Sequence, residues 1–192
     1  MTTSIERLRQ LEALLGTERE GQIVEFKMNL ADADEIGEYL SALANSAALE
    51  RVPMAWMVWG IEDGARIVKG TRFDPFTQKS GPKSNQSLIM WLQSMTEPRA
   101  DFDFHEIPHP DGRVVLLEIR AARSAPVAFR SVRYVRLDSH KTKLGAHPDR
   151  EGRLWSLLLG ADDDWSGEIV PDASLHDLDP TAIEVARDRF LE

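Results

Sequence analysis

The spacing of apolar residues along the chain predicts five helices. A helix that packs against a core carries apolar side chains at every third or fourth position, on one face. Five segments show this pattern: residues 4–15, 34–49, 84–95, 148–159 and 181–191. Asp32 or Asp34 stands where the second helix begins, as a residue that caps a helix amino terminus.

Short apolar or alternating runs between these helices predict strands. The runs are residues 23–27, 54–61, 65–69, 101–107, 113–119, 126–129 and 133–137. We expect residues 54–61 to pair with 65–69 and residues 101–107 to pair with 113–119, each as a hairpin. The polar residues 138–143 are interpreted as a loop. This order of elements predicts an α+β fold, a mixed sheet with hairpins and packed helices, and not a regular alternation of strand and helix.

Composition restricts the class of protein. A chain of 192 residues, 42% of them hydrophobic, can bury the core of one domain. It contains no cysteine, which excludes disulfides and thiolate zinc sites. No apolar run approaches the roughly 18 residues that span a bilayer, and the first residues do not follow the pattern of a signal peptide. These observations predict a soluble, cytoplasmic protein.

The charge is distributed unevenly. The net charge of −9 opposes non-specific binding of nucleic acid by the surface as a whole. Residues 118–153, however, carry 9 basic and 4 acidic side chains, whereas residues 1–117 carry 12 and 18 and residues 154–192 carry 2 and 10. A basic segment between acidic flanks can present a local face that binds phosphate.

The first candidate site lies in the predicted strand 23–27. Glu25 and Lys27 are two positions apart, so in a strand they point to the same side of the sheet. A carboxylate can bind a divalent cation, and a neighbouring lysine can orient a water or stabilise phosphate charge, as a metal-dependent phosphodiesterase requires. The alternative is an ion pair on the surface of an edge strand. Glu20 and Asp63 could bring two further carboxylates to the same cation.

The second candidate site is the basic segment itself. Its side chains suit contacts with phosphate, because arginine binds phosphate through two parallel hydrogen bonds and the neighbouring loop adds hydroxyls and lysines. The candidates are Arg130, Arg133, Arg136, His140, Lys141 and Lys143. An equally weighted alternative is that this surface neutralises the acidic tail of the same chain.

Several segments together resemble the Schlafen AlbA_2 domain, the nucleic-acid-binding domain attributed to Schlafen proteins and to bacterial proteins predicted to regulate transcription. The resemblance covers roughly residues 8–145. Its segments are Glu20-x4-Glu25-Phe-Lys, Leu40-Ser-Ala-Leu-Ala-Asn45-Ser, Trp59-Gly-Ile-Glu-Asp63-Gly, Pro126-Val-Ala-Phe and Tyr134-Val-Arg136-Leu-Asp-Ser139.

The resemblance implies both a site and a division of the chain. In nuclease members of the family, three carboxylates and a divalent metal cut structured RNA, and the matching positions here are Glu20, Glu25 and Asp63. Those nucleases contain two copies of the lobe, so a homodimer is expected for a chain with one copy. Residues 1–147 are predicted to form the Schlafen-like domain, and residues 148–192 an acidic helical extension that begins a longer downstream region.

Two functions from different classes follow. In the first, the chain is the nucleic-acid-binding domain of a transcriptional regulator and contacts phosphates through the basic segment. In the second, it is an endoribonuclease that uses Mg²⁺ or Mn²⁺, with Glu20, Glu25 and Asp63 as ligands and Lys27 assisting catalysis. The sequence leaves open whether the partner is DNA or RNA. A third reading is a domain that only assembles, with the chemistry elsewhere.

Overall fold

The computed structural model describes residues 4–16, 21–62, 64–81, 84–160 and 179–191. The chain divides into two compact units, Met1–Ala161 and Asp162–Glu192. In chain order the elements are α1 (Ser4–Leu15), β1 (Val24–Lys27), α2 (Ala33–Leu49), β2 (Met54–Trp59), α3 (Leu88–Met95), β3 (Thr96–Glu97), β4 (Phe102–His109), β5 (Gly112–Arg120), β6 (Ala128–Phe129), β7 (Val132–Leu137), β8 (His140–Lys143), α4 (Pro148–Leu158) and α5 (Pro180–Leu191).

The first unit contains two four-stranded sheets. The first sheet has the strand order β1-β2-β5-β4, in which β1 runs parallel to β2 and the remaining neighbours are antiparallel. Helix α2 is the crossover that the parallel pair requires. The second sheet has the order β3-β6-β7-β8 and is antiparallel throughout. Helices and mixed sheets in one unit confirm the predicted α+β class.

The two faces of the first sheet are covered by different helices. Leu11 of α1 packs with Phe26 of β1 in an apolar cluster on one face. Leu40 of α2 lies in a larger cluster on the other face, together with Met57 and Trp59 of β2. Because β1 alternates, Val24 and Phe26 face α1 while Glu25 and Lys27 face the α2 side. The strand therefore presents its two charged side chains toward the second sheet.

The second sheet is attached to α2 through buried polar side chains. Ser41 and Asn45 of α2 both donate hydrogen bonds to the carbonyl of Val127, at 2.7 and 2.9 Å, and Asn45 also donates to the carbonyl of Tyr134 at 2.8 Å. The Asn45 carbonyl accepts from the backbone N–H of Val127. Ser46 accepts from the backbone N–H of Arg136 at 2.9 Å. The polar residues of the Leu-Ser-Ala-Leu-Ala-Asn-Ser segment thus fix β6 and β7 on the helix.

Three local predictions are wrong. Residues 138–143 do not form a loop, because His140–Lys143 is strand β8 and pairs with β7 from Leu137↔His140 to Tyr134↔Lys143. Residues 65–69 form no strand; the bridge Ile61↔Val68 and two backbone hydrogen bonds, from Glu62 N–H to the Ile67 carbonyl and from Lys69 N–H to the Gly60 carbonyl, connect them to the residues after β2. Helix α3 begins at Leu88, since Ser87 caps it through the N–H of Met90.

The carboxyl-terminal region has two described helices. Leu154 of α4 is buried in the first unit with Leu49, Val135 and Leu144. Helix α5 is the described part of the second unit, and the acidic segment 161–178 lies outside the described residues. Of the helices described, none is long and apolar enough to cross a membrane.

Candidate nucleic-acid interface

Glu25 stands at the centre of the candidate site. Its side chain is only 4% exposed although β1 is an edge strand, because the carboxylate faces Tyr39 of α2 and Arg136 of β7. Lys27 Nζ lies 2.6 Å from Glu25 Oε1, and the Arg136 guanidinium forms an ion pair with Glu25 Oε2. Both carboxylate oxygens are therefore engaged by cations.

Arg136 is a fully buried arginine on β7. Its backbone N–H is held by Ser46, and its guanidinium also donates to the carbonyl of Ser139 at 3.2 Å. A buried arginine is stable only when an opposite charge and hydrogen bonds compensate for the loss of water. Glu25 provides that charge from the other sheet. The pair joins the amino-terminal motif to the basic segment.

Three cations lie close to the ring of Tyr39, which is on α2. Its centroid lies 5.0 Å from Lys27 Nζ, 4.3 Å from Lys141 Nζ and 5.9 Å from Arg136 Cζ. Lys141 also pairs with the carboxylate of Glu38 at 2.5 Å. We call this group the Tyr39 cluster; it consists of Glu25, Lys27, Glu38, Tyr39, Arg136 and Lys141. With three cations and two carboxylates it has a surplus of positive charge.

Burial and the local charges shift two titrations in the Tyr39 cluster. Burial alone would lower the pKa of Lys27, but the hydrogen bond and negative charge of Glu25 outweigh it and raise that pKa above its ordinary value. Burial raises the pKa of Tyr39, and the charge of Glu25 raises it further. Lys27 is thus a cation and Tyr39 a neutral phenol at physiological pH.

Sequence reasoning did not identify Tyr39. The helical spacing of Ile36 and Leu43 places it on the buried face of α2, which is the signal available from sequence. An apolar pattern cannot show that three cations surround the ring, because those cations come from β1, β7 and β8.

Two predicted phosphate-binding arginines lie on the surface and pair with acids of this chain. Arg130 lies 2.8 Å from Asp34, and its guanidinium is over the rings of Trp91 and Phe129. Arg133 lies 3.5 Å from Glu151 and over the ring of Trp155. The acids belong to α2 and α4.

The remaining predicted contacts are on β8. Lys143 is exposed and makes no ion pair with any residue the structure describes. His140 Nδ1 lies 3.4 Å from the hydroxyl of Ser139. Lys141 is held in the Tyr39 cluster. The hairpin β7–β8 therefore carries one lysine without a described ion pair, one exposed histidine, and three cations paired with acids, namely Arg133, Arg136 and Lys141.

The described residues contain no group of three histidine or acidic side chains able to bind a metal. Glu20 and Asp63, two of the predicted ligands, lie outside the described residues. A metal ion at Glu25 would have to compete with Lys27 and Arg136, which engage both of its oxygens. The Mg²⁺ or Mn²⁺ site stays a prediction.

Comparison with known proteins identifies the family. The model of the family described as Schlafen, AlbA_2 matches residues 20–145, which include β1, α2, both sheets and the Tyr39 cluster. The chain belongs to the Schlafen AlbA_2 family, and the predicted resemblance is confirmed. No curated protein matches the chain.

Two solved structures are similar to the chain. The DIP2311 protein from Corynebacterium diphtheriae is 19% identical with a TM-score of 0.46, and the match covers 94% of this chain and 33% of that one. The second is the amino-terminal domain of a RecG-related protein from Nitrosomonas europaea, whose name relates it to an ATP-dependent DNA helicase. It is 15% identical with a TM-score of 0.38, and the match covers 64% of this chain and 75% of that one. The chain spans about a third of the length of the Corynebacterium protein.

Proposed function

We propose that the chain binds the sugar–phosphate backbone of a nucleic acid over β6, β7 and β8. The observation that carries this proposal is the presence of three exposed cations on these strands: Arg130 directly follows β6, Arg133 is on β7 and Lys143 is on β8. Membership of the Schlafen AlbA_2 family supports the same function. Phosphate contacts provide most of the affinity of a protein that reads no bases.

The surface arginines can exchange partners on binding. The side chains of Arg130 and Asp34 are 54% and 52% exposed, and that of Arg133 is 42% exposed. Exposed ion pairs contribute roughly 0–1 kcal/mol, so a phosphate can replace the carboxylate at little cost. Arg136 has a different role, because it is buried and forms an ion pair with Glu25. We assign it to holding β7 in place, and phosphate contact to Arg130, Arg133 and Lys143.

Fluorescence anisotropy with labelled nucleic acids tests the proposal. The probes are an RNA hairpin, a single-stranded RNA and a DNA duplex, each titrated over a series of KCl concentrations. We expect affinity to fall steeply with salt, and Lys143→Ala to reduce the slope of log affinity against log salt by about one. The control is Arg9→Ala, which removes the same charge from α1 on the opposite face of the first sheet.

Two results would overturn the proposal. One is the absence of binding to all three probes at the lowest salt. The other is an equal slope for Lys143→Ala, Arg9→Ala and the unaltered protein. A preference among the probes decides between RNA and DNA. A role as a transcriptional regulator, which the resemblance implies, also requires selective binding of a particular duplex sequence over competitor DNA.

A second function, cleavage of RNA, is favoured by the position of Lys27. It is a charged lysine, 28% exposed, beside a carboxylate at the end of β1. We propose it as an alternative in which Glu20, Glu25 and Asp63 hold Mg²⁺ or Mn²⁺, with Lys27 close to the substrate phosphate. Any metal at Glu25 competes with Lys27 or Arg136 for the carboxylate. Incubation of transfer RNA with the protein, with and without EDTA, tests it, and cleavage by Glu25→Ala at the normal rate would contradict it.

We also propose a homodimer in the cytoplasm as the assembly that binds. Light scattering at several protein concentrations measures the mass of the assembly. A monomer at every concentration, with binding retained, would remove this part of the proposal.

A further inference from the structure

A pocket of about 740 Å³ lies where β1 ends and β5 begins, apart from the Tyr39 cluster. Its walls come from the residues after β1, from the segment 69–74, from Gln78 and from the start of β5. Pockets that bind small molecules have volumes of roughly 300–1,000 Å³. None of the residues assigned to backbone binding lines it.

Close backbone contacts and hydrogen bonds join one wall of the pocket to the first sheet. Gly70 and Gly112 both have positive φ, 82° and 146°, and their backbones touch so closely that a Cβ on either would meet the other. The N–H groups of Lys69 and Gly70 donate to the carbonyl of Gly60, and that of Thr71 donates to the carbonyl of Arg113. The segment that carries the polar side chains of the pocket is thereby fixed to the first sheet.

Asn29 places hydrogen-bond donors in the pocket. Its side-chain oxygen accepts from the Thr71 hydroxyl at 3.0 Å and from the Arg72 backbone N–H at 2.8 Å. The amide orientation is therefore set, and within the described ranges its two N–H groups have no partner. The Arg72 guanidinium is exposed and likewise makes no ion pair with a described residue. Lys69 has only a long contact, 3.8 Å, with Glu62.

The pocket wall also offers acceptors. Gln78 donates its amide N–H to the carbonyl of Ala31 at 2.6 Å, which leaves its side-chain oxygen for a ligand donor. Asp74 accepts from the Thr77 hydroxyl and the Phe76 N–H, and these bonds hold the pKa of its carboxyl below the ordinary value. Arg113 does not count as a free cation, because Glu106 and Asp74 pair with it.

We propose that this pocket binds a nucleoside phosphate, with the phosphate at Arg72, Lys69 and the Asn29 amide, and with hydroxyl or amino groups of the nucleoside at Gln78 and Asp74. Arg72, which makes no ion pair with a described residue, Lys69, whose contact with Glu62 is 3.8 Å long, and an oriented amide together favour an anion in a protein of net charge −9. The volume exceeds what a phosphate alone would fill. The ligand is either a free nucleotide or the phosphorylated end of a strand, since the chemistry of the two is the same.

Calorimetric titration of the whole chain tests the proposal. The probes are AMP, adenosine, inorganic phosphate, and a short RNA with and without a 5′-phosphate. We expect AMP to bind more tightly than adenosine or phosphate. Arg72→Ala should weaken AMP binding about tenfold or more, the loss expected for one charge-assisted hydrogen bond, with Arg72→Lys recovering part of it.

Arg123→Ala is the matched control, because it removes an exposed arginine that does not line the pocket. Equal AMP affinity of Arg72→Ala and the unaltered protein would overturn the proposal. So would equal binding of adenosine and AMP, or no binding of either AMP or the phosphorylated RNA. Binding of AMP alone identifies a free nucleotide as the ligand, and binding of the phosphorylated RNA alone identifies a strand end. Binding of the RNA that lacks the 5′-phosphate tests the β6–β8 interface alone. A failure of the backbone-binding proposal can therefore be distinguished from a failure of the pocket proposal.

Discussion

Arg136 and Glu25, 111 positions apart in the chain, form a buried ion pair that connects the two sheets. Glu25 belongs to the edge strand of the first sheet and Arg136 to the middle of the second. The pair also orders the site, because Lys27 contacts the same carboxylate and both cations, Lys27 and Arg136, lie against the ring of Tyr39.

We expect Glu25→Gln to destabilise the fold by about 3–5 kcal/mol, because it leaves Arg136 buried without an opposite charge. Arg136→Met should cost less, since Lys27 still pairs with Glu25. The double variant should be more stable than the sum of the single losses predicts. Urea unfolding measures all three.

The matched control for this series is Glu12→Gln, which neutralises an exposed carboxylate on α1. It should leave the unfolding midpoint unchanged. A Glu25→Gln protein that unfolds at the same urea concentration as the unaltered protein would show that the pair does not hold the sheets together.

Both tyrosines of the chain should titrate above the ordinary phenol range. Burial raises the pKa of Tyr39 and of Tyr134; the charge of Glu25 adds to the first shift, and a 3.0 Å hydrogen bond to Glu38 adds to the second. The ultraviolet absorbance of tyrosinate follows the titration, and the urea-unfolded chain, with pKa near 10, is the reference. Each of the variants Tyr39→Phe and Tyr134→Phe removes one of the two titrations, which assigns each pKa to its residue.

The same shifts determine how stability changes in alkali. A phenol whose pKa is raised by folding stays protonated after the unfolded chain has lost its proton, so stability falls as pH rises above about 10. The raised pKa of Lys27 acts in the same direction, because its contribution is present below the ordinary lysine pKa and is lost as pH passes the folded value. If the tyrosinate absorbance of the folded protein titrates at the same pH as that of the urea-unfolded chain, the raised pKa values of Tyr39 and Tyr134 are contradicted.

Asp34→Asn should strengthen nucleic-acid binding. The carboxylate of Asp34 competes with phosphate for Arg130, and both side chains are more than half exposed. Removing the competitor should raise affinity several-fold at low salt, with a smaller gain at high salt because screening weakens both interactions. Anisotropy with the probes named above measures it.

Asp101→Asn is the control for the change in net charge. Asp101 is exposed and pairs with Arg120 of β5, outside the proposed interface. If the two variants gain affinity equally, the effect is the general loss of one negative charge, and Arg130 has no special part in binding.

The elements with a strong apolar period could be predicted from the sequence. Helix α2 and the hairpin of β4 and β5 lie within two residues of their predicted bounds, because each buries a regular row of side chains. Strand β8 could not be predicted in this way, since His140–Lys143 has no apolar alternation. The two-residue turn Asp138-Ser139 closes its hairpin, with Asp138 at a φ of 53°. Aspartate is among the few residues besides glycine that adopt this conformation readily.

The membership of the candidate site was predictable in part, without Glu38 and Tyr39, and its pairing was not predictable. Glu25, Lys27 and Arg136 were identified from motif and charge, but their mutual contacts depend on how the second sheet docks on α2. That docking is set by Asn45 and Ser41, whose hydrogen bonds reach backbone groups more than 80 positions away. Spacing along the chain carries no information about such distant partners.

Gly37→Ala should destabilise the fold although alanine is the better helix former. Gly37 lies in the interior of α2, and a Cβ there would overlap the ring of Phe129 on β6. Overpacking of this kind costs typically 1–3 kcal/mol, whereas the gain in helix propensity is at most about 1 kcal/mol. Phe129 or the strand that carries it has to move away from the helix, so we also expect weaker nucleic-acid binding in the anisotropy assay.

Gly152→Ala is the matched control for Gly37→Ala, because it makes the same substitution in a helix at a position where the added Cβ meets no other residue. Gly152 lies in α4 and no described atom comes within 4 Å of the added Cβ, so alanine should stabilise the protein by up to about 1 kcal/mol. The second variant Gly37→Ala/Phe129→Leu should recover part of the lost stability, since the smaller side chain makes room. If Gly37→Ala and Gly152→Ala raise the urea midpoint alike, helix α2 does not press against β6, and the docking that positions Arg136 needs another explanation.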